Sequence, residues 1–179
     1  SSDSNDSTER PLPIDRRDFL KTTAAAAALA LGSRALAAGT GGTNDLRVAL
    51  IGGGNQGTVL LEACQKIPNI HITALCDIWE EYRLKYASGR LRTYGHEHNA
   101  YVDIHEMLDK EKGRLDAAIV ATPDFWHAEH AVACLTAGLH VYCEKEMSNT
   151  LADARRIVVA ARASGKLLQV GHQRRSNPR

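Results

Sequence analysis

The run Leu46-Arg-Val-Ala-Leu-Ile-Gly-Gly-Gly-Asn-Gln-Gly57, with a second apolar run from Ile70 to Cys76 that stops at Asp77, restricts this chain to few folds. An apolar strand ending in Gly52-x-Gly54-x-x-Gly57, then a helical pattern, then a strand closed by an acid about 20 residues on, has the dimensions of a dinucleotide-binding βαβ unit. Gly52 permits the tight turn after the strand, Gly54 lets the backbone approach a pyrophosphate, and Gly57 lets the helix pack closely on the strand. The free N–H groups at the head of that helix, with Asn55 and Gln56 among its first residues, then face the phosphates. Asp77 is placed to accept both hydroxyls of an adenosine ribose. That favours NAD, because a 2′-phosphate would set like charges side by side. Arg83, in the loop beyond Asp77, keeps NADP as the alternative nucleotide.

The first 45 residues are a different kind of sequence. Ser1 to Glu9 is polar and reads as a disordered leader or the edge of a fragment. Asp15-Arg16-Arg17-Asp18-Phe19-Leu20-Lys21 precedes an Ala-rich stretch from Thr22 to Gly32, and Ala35-Leu36-Ala37 offers a small-residue cleavage site. This order is that of a twin-arginine signal peptide, with Asp15 standing where Ser or Thr is usual. The competing reading is a poorly packed amphipathic helix with incidental arginines. The apolar part is too short for a transmembrane helix, which needs about 20 apolar residues, so no stable membrane anchor is expected. Thr40 to Asn44 reads as a flexible lead into the mature domain.

Residues 46–179 suffice for one α/β domain with a real core. A net charge of +1 gives no ground for nucleic-acid binding. Cys64, Cys76, Cys134 and Cys143 lack CxxC spacing and read as small buried hydrophobes. His96, His98 and His105 have no Cys or Glu at recognised ligand spacing, so no metal site is expected and they read as surface histidines.

Strand and helix patterns alternate. Strands are expected near 46–51, 70–76, 115–121, 139–143 and 166–170, with a short extended piece within 92–101. Helices are expected near 56–66, 79–89, 103–110, 124–137 and 150–164. Asp103 with Glu106 forms a capping box, Thr150 is a cap, and Gly138 and Gly165 are stops. Near-continuous apolar strands between amphipathic helices imply a doubly wound, mostly parallel Rossmann-type sheet covered on both faces.

Three further segments fall at strand ends, where open α/β sheets bind ligands. They are Ala121-Thr122-Pro123-Asp124-Phe125-Trp126-His127, Tyr142-Cys143-Glu144-Lys145-Glu146, and Gly171-His172-Gln173-Arg174-Arg175-Ser176-Asn177-Pro178. With the glycine loop they resemble the Gfo/Idh/MocA family (glucose–fructose oxidoreductase, inositol dehydrogenase, rhizopine catabolism) over residues 46 to 179. The resemblance implies that Thr122-Pro123 turns against the adenosine and ribose side and that His127 faces the cofactor cleft. It also implies that Glu144 helps place the nicotinamide ribose. Lys145, as the Lys of a Glu-Lys-Pro motif, would be the catalytic group near the nicotinamide and the reacting hydroxyl. An ammonium there stabilises developing oxygen charge, and partial burial would let it relay a proton. Glu146 departs from the family's usual Pro. It removes a backbone restraint and adds a negative charge beside Lys145.

The resemblance implies an exported NAD(P)-dependent oxidoreductase that moves hydride between nicotinamide and a sugar or polyol. Two alternatives are an NAD-retaining glycosidase of the same family and a non-catalytic nucleotide- or sugar-binding protein. It further implies a second, C-terminal domain beyond Arg179, carrying the substrate side chains and the contacts of a homo-oligomer. On this reading the chain is a fragment, and the twin-arginine machinery is its export partner.

Overall fold

The computed structural model describes residues 45–176, so nearly all of the leader assigned to residues 1–45 lies outside the described residues. The elements are β1 (Leu46–Ile51), α1 (Asn55–Cys64), β2 (Ile70–Cys76), a π turn (Glu80–Leu84) running into α2 (Lys85–Thr93), and β3 (Asn99–Tyr101). They continue with α3 (Ile104–Lys110), β4 (Ala117–Val120), α4 (Asp124–Thr136), β5 (His140–Glu144), α5 (Leu151–Ser164), β6 (Leu168–Gly171) and the short α6 (Gln173–Ser176).

All pairings are parallel and the strand order is β3-β2-β1-β4-β5-β6. The chain works outward from β1 to β3, crosses back, and restarts beside β1 at β4. This reversal opens a crevice at the carboxyl ends of β1 and β4, where doubly wound sheets hold ligands. The period of two along the strands, shifted in β2 by an irregularity between Ile72 and Ala74, builds two cores. Val48 and Leu50 of β1 join Leu61, Ile72, Leu75, Leu84, Ala87 and Leu91 under α1 and α2. Ala49 and Ile51 face the opposite way, into a larger cluster with Met107, Ala131, Leu135 and Ile157 under α3, α4 and α5.

The expected caps are present. Asp103 accepts from the Glu106 N–H at 2.8 Å, and Thr150 Oγ1 accepts from the Asp153 N–H at 3.1 Å. Gly138 and Gly165 end their helices at φ +84° and +64°. One expectation shifts. The helix after Asp77 opens with a π turn and runs past Gly89 to Thr93, leaving only Asn99–Tyr101 extended. Leu91, one turn beyond Ala87, is fully buried, and its packing carries the helix through the glycine.

His105 is exposed as expected, but His96 and His98 are less superficial. His96 is half-buried: its Nδ1 accepts from the Ile72 N–H at 3.2 Å and its Nε2 reaches Gln65 Oε1 at 2.9 Å. His98 is half-buried with its Nε2 2.6 Å from Ser88 Oγ. Among the described residues no group of three His, Cys, Asp or Glu side chains converges to hold a metal. Burial lowers the His96 pKa, and the neighbouring His71 and His98 add to the shift. The unfolded chain therefore binds more protons than the folded one as pH falls through the ordinary histidine range. The stability present above about pH 6.5 is lost on acidification. The urea midpoint is expected to fall between about pH 7 and pH 5. His96→Asn, whose Oδ1 accepts from Ile72 without titrating, should flatten that fall; an unchanged slope in the variant would refute the assignment.

Candidate cofactor site at the switch point

The glycine loop is shaped by contacts that admit no side chain. Gly52 has φ +97°, and a Cβ there would lie 2.7 Å from the Ala121 carbonyl oxygen and 2.9 Å from Thr122 N. A Cβ on Gly57 would collide with the Gly52 carbonyl. Thus β1's turn presses on the end of β4, and α1 presses on the turn. Gly54 caps α1 without a side-chain hydrogen bond, and no acid occupies the first turn. Its leading N–H groups, around Asn55, Gln56 and Gly57, are left for an anion. The space above Gly54 is bounded by the Arg83 guanidinium, 3.6–3.8 Å from where a Cβ would stand.

Asp77 ends β2 beside this loop and is buried. Its Oδ2 accepts from the Gly53 N–H and its Oδ1 from the Trp79 N–H, both at 2.8 Å. A carboxylate has about four acceptor sites, so roughly two remain for hydroxyl donors. Trp79, Tyr82 and Arg83 stand exposed next to it, with the Arg83 Cζ 5.4 Å from the Trp79 ring centroid.

At the end of β4, Thr122 Oγ1 lies 3.0 Å from His130 Nδ1, and Pro123 leads into α4. His127 corrects the sequence expectation. It does not face the cleft but is 1 % exposed, on the same buried stripe of α4 as Ala131, Cys134 and Leu135. Its Nε2 lies 2.8 Å from the Thr122 carbonyl and its Nδ1 2.6 Å from the Glu146 carbonyl. A neutral imidazole has one N–H and donates to one of these carbonyls at a time, the shorter contact being the one to Glu146.

Glu144, the last residue of β5, is 4 % exposed. Its Oε1 accepts from Gln56 Nε2 at 2.8 Å and its Oε2 from the Lys145 N–H at 3.1 Å. Burial and the Glu144 charge push the Tyr142 hydroxyl above its ordinary pKa. Gly171, opposite Glu144 on β6, leaves room for that hydroxyl; a Cβ there would strike it. Lys145 and Glu146 are exposed, joined by a cis peptide. The four cysteines are free. Cys76, Cys134 and Cys143 are buried, with burial pushing each thiol up to about 12, while Cys64 is half-buried.

The structure therefore brings Gly52, Gly54, Asn55, Gln56, Gly57, Thr122, Pro123, Glu144 and Lys145 to the carboxyl ends of β1, β4 and β5, with Asp77 alongside. It withdraws His127 to the interior. Sequence reading missed the Gln56–Glu144 bond, which spans 88 residues, and the His127–Glu146 contact. Neither leaves a local signal.

Comparison with known proteins gives this site its class. The model of the Gfo/Idh/MocA oxidoreductase family, NAD-binding Rossmann fold, matches residues 46–172, and the chain belongs to that family. The twin-arginine translocation signal model matches residues 13–33. Among curated relatives, the chain is 33% identical over 133 residues to a 4-carboxy-2-hydroxymuconate-6-semialdehyde dehydrogenase of Sphingobium, covering 74% of this chain and 40% of the relative. It is 32% identical over 130 residues to a myo-inositol 2-dehydrogenase of Thermotoga maritima, covering 73% and 37%. It is 34% identical over 148 residues to a glycosyl hydrolase family 109 protein of Stenotrophomonas maltophilia, covering 78% and 31%. The WlbA dehydrogenase of Chromobacterium violaceum, solved with NADH and UDP-GlcNAcA, superposes with a TM-score of 0.66 at 29% identity, covering 75% of this chain and 37% of that one. The chain thus spans well under half the length of these relatives.

The residues present fit a dinucleotide: a side-chain-free turn, an uncapped helix N-terminus and a buried acid with acceptor sites left. Gly57→Ala is expected to destabilise the protein by about 1–3 kcal/mol through overpacking. Gly54→Ala places its methyl in ordinary contact with Arg83 and should lose only the better N-cap residue, about 0.5–1 kcal/mol. Thermal denaturation of the two variants checks the contrast, and equal losses would contradict the geometry described.

Proposed function

We propose that the full-length protein is an exported NAD-dependent oxidoreductase acting on a CH–OH group of a sugar or polyol. In this reading the main chain of Gly52, Gly54, Asn55, Gln56 and Gly57 forms the pyrophosphate cradle and Asp77 takes the adenosine ribose. Thr122, Pro123 and Glu144 line the remainder of the cleft. The observation that carries the chemical assignment is the placement of Lys145: an exposed ammonium at the end of β5, beside the crevice, on a main chain held by Glu144 and, through Glu146, by His127. Bound nicotinamide supplies the hydride acceptor or donor. Lys145 Nζ would hold or release the hydroxyl proton and offset the charge that builds on that oxygen.

The relatives support a dehydrogenase in general more than any one substrate, and the inositol and UDP-sugar enzymes among them favour a polyhydroxylated ring. The match to a twin-arginine signal supports residues 1–45 as a leader and linker, and transport of the folded protein with its nucleotide inside. Free NAD is scarce outside the cytoplasm, so a retained cofactor is expected. The 34% identity to a glycosyl hydrolase family 109 protein favours a second reading, in which the same retained nucleotide is oxidised and reduced within one turnover of a glycoside.

Full-length protein purified from the export compartment and then denatured should release about one equivalent of NAD(H) if retention is as tight as a single dinucleotide site implies. No released nucleotide, with no binding on titration, would sink both readings. Lys145→Ala should keep that nucleotide and lose about 10²–10⁴-fold in kcat on a panel of inositols, aldoses and p-nitrophenyl glycosides. Net NADH formation separates the dehydrogenase from the glycosidase.

A further inference from the structure

We propose that Gln56 is a positioning residue for Lys145, acting through the buried Glu144 carboxylate. The proposal rests on the reading of Lys145 as the chemical group. Gln56 lies in the first turn of α1, whose main-chain N–H groups are the ones that would face a phosphate. Its side-chain Nε2 donates to Glu144 Oε1 at 2.8 Å, reaching over β4 to the end of β5. A carboxylate only accepts, so the amide nitrogen must be the end that faces it.

Glu144 is 4 % exposed, and a carboxylate so far from water must be met by donors. Gln56 satisfies Oε1, which leaves Oε2 aimed at the Lys145 N–H at 3.1 Å. On the other side, His127 takes the Glu146 carbonyl at 2.6 Å. The Lys145 N–H and the carbonyl of the next residue are thereby held from two buried side chains, while the Lys145 side chain stays exposed. Removing the Gln56 donor leaves the carboxylate with the Lys145 N–H and the neighbouring Tyr142 hydroxyl, and it gains by turning toward that hydroxyl, the Lys145 ammonium or water. Any such turn releases the Lys145 N–H. One amide thus links the helix whose N-terminus would hold the pyrophosphate to the residue that would handle the proton.

The test uses the full-length protein with Gln56→Leu, which keeps the volume and loses the donor, and with Glu144→Gln. Hydrogen exchange read by mass spectrometry should be at least about tenfold faster in peptides spanning 144–147 of Gln56→Leu, corresponding to about 1.4 kcal/mol of local opening. Peptides from β1 and β4 should be unchanged. The NADH dissociation constant, titrated by tryptophan fluorescence, should move less than about threefold, whereas kcat on the best panel substrate falls about tenfold or more at unchanged KM. In the Glu144→Gln background, Gln56→Leu should add little, because both act on one contact.

Unchanged exchange at 144–147 would overturn the proposal. So would a rise in the NADH dissociation constant matching the loss of kcat/KM, since Gln56 would then be a nucleotide ligand. Full kcat in Gln56→Leu with a collapsed kcat in Lys145→Ala removes the positioning role and leaves Lys145 standing. Full kcat in Lys145→Ala removes the catalytic reading, and the positioning role with it.

Discussion

The fold depends on one close approach. The Gly52 carbonyl occupies the space of a Gly57 side chain, and the Gly52 Cα faces the Ala121 carbonyl with no room for a methyl between them. These contacts bring the first turn of α1 down onto the crevice between β1 and β4. Had either position carried a side chain, the helix would stand off. Its N–H groups would no longer point into the cleft, and Gln56 would not reach Glu144. The reversal of strand order supplies the crevice, but the two glycines set its depth.

Above that contact, each loop at the carboxyl edge is fastened to another by a side chain whose charge or polarity is buried. Asp77 bonds the glycine loop to the start of the next segment, Glu144 bonds the glycine helix to β5, and His127 lies within hydrogen-bond distance of the Thr122 and Glu146 carbonyls. Burying such groups is costly unless their hydrogen bonds are met, and here they are met largely by main-chain groups of the loops themselves. Loops tied in this way offer a ligand fixed donors and acceptors instead of paying to order them upon binding. Lys145, by contrast, is exposed at the end of β5.

Much of this was legible from sequence because the signals are local. Glycine spacing, the acid after β2, capping pairs and apolar strands each depend on residues within a turn or two, and each fell within a few residues of its observed place. What failed depended on tertiary packing. Gly89 read as a helix end because nothing local shows that Leu91 is buried beyond it. The family resemblance and a position near a helix start put His127 in the cleft, and neither shows its packing. Only the i, i+4, i+7, i+8 relation to Ala131, Cys134 and Leu135 places it inside, and that stripe can be drawn only when a histidine is allowed to count as core. The Gln56–Glu144 bond joins elements two strands apart and has no sequence signature at all.

The Glu146 position shows how these two kinds of information combine. Where the family usually has proline, the ring would fix the main chain after Lys145 by itself. Glutamate removes that fixation, and its charge lies in solvent, where water and salt screen its pull on the neighbouring ammonium. The substitution therefore acts chiefly on the main chain. There the restraint comes from below, as His127 holds the Glu146 carbonyl, and from the preceding residue, as Glu144 holds the Lys145 N–H. A proline also has no N–H to lose or bond, so neither hydrogen bond competes with the exchange: one uses the carbonyl of residue 146 and the other the amide of residue 145. The atoms that hold the main chain around Lys145, its own N–H and the carbonyl of residue 146, are ones that either proline or glutamate at 146 leaves in place.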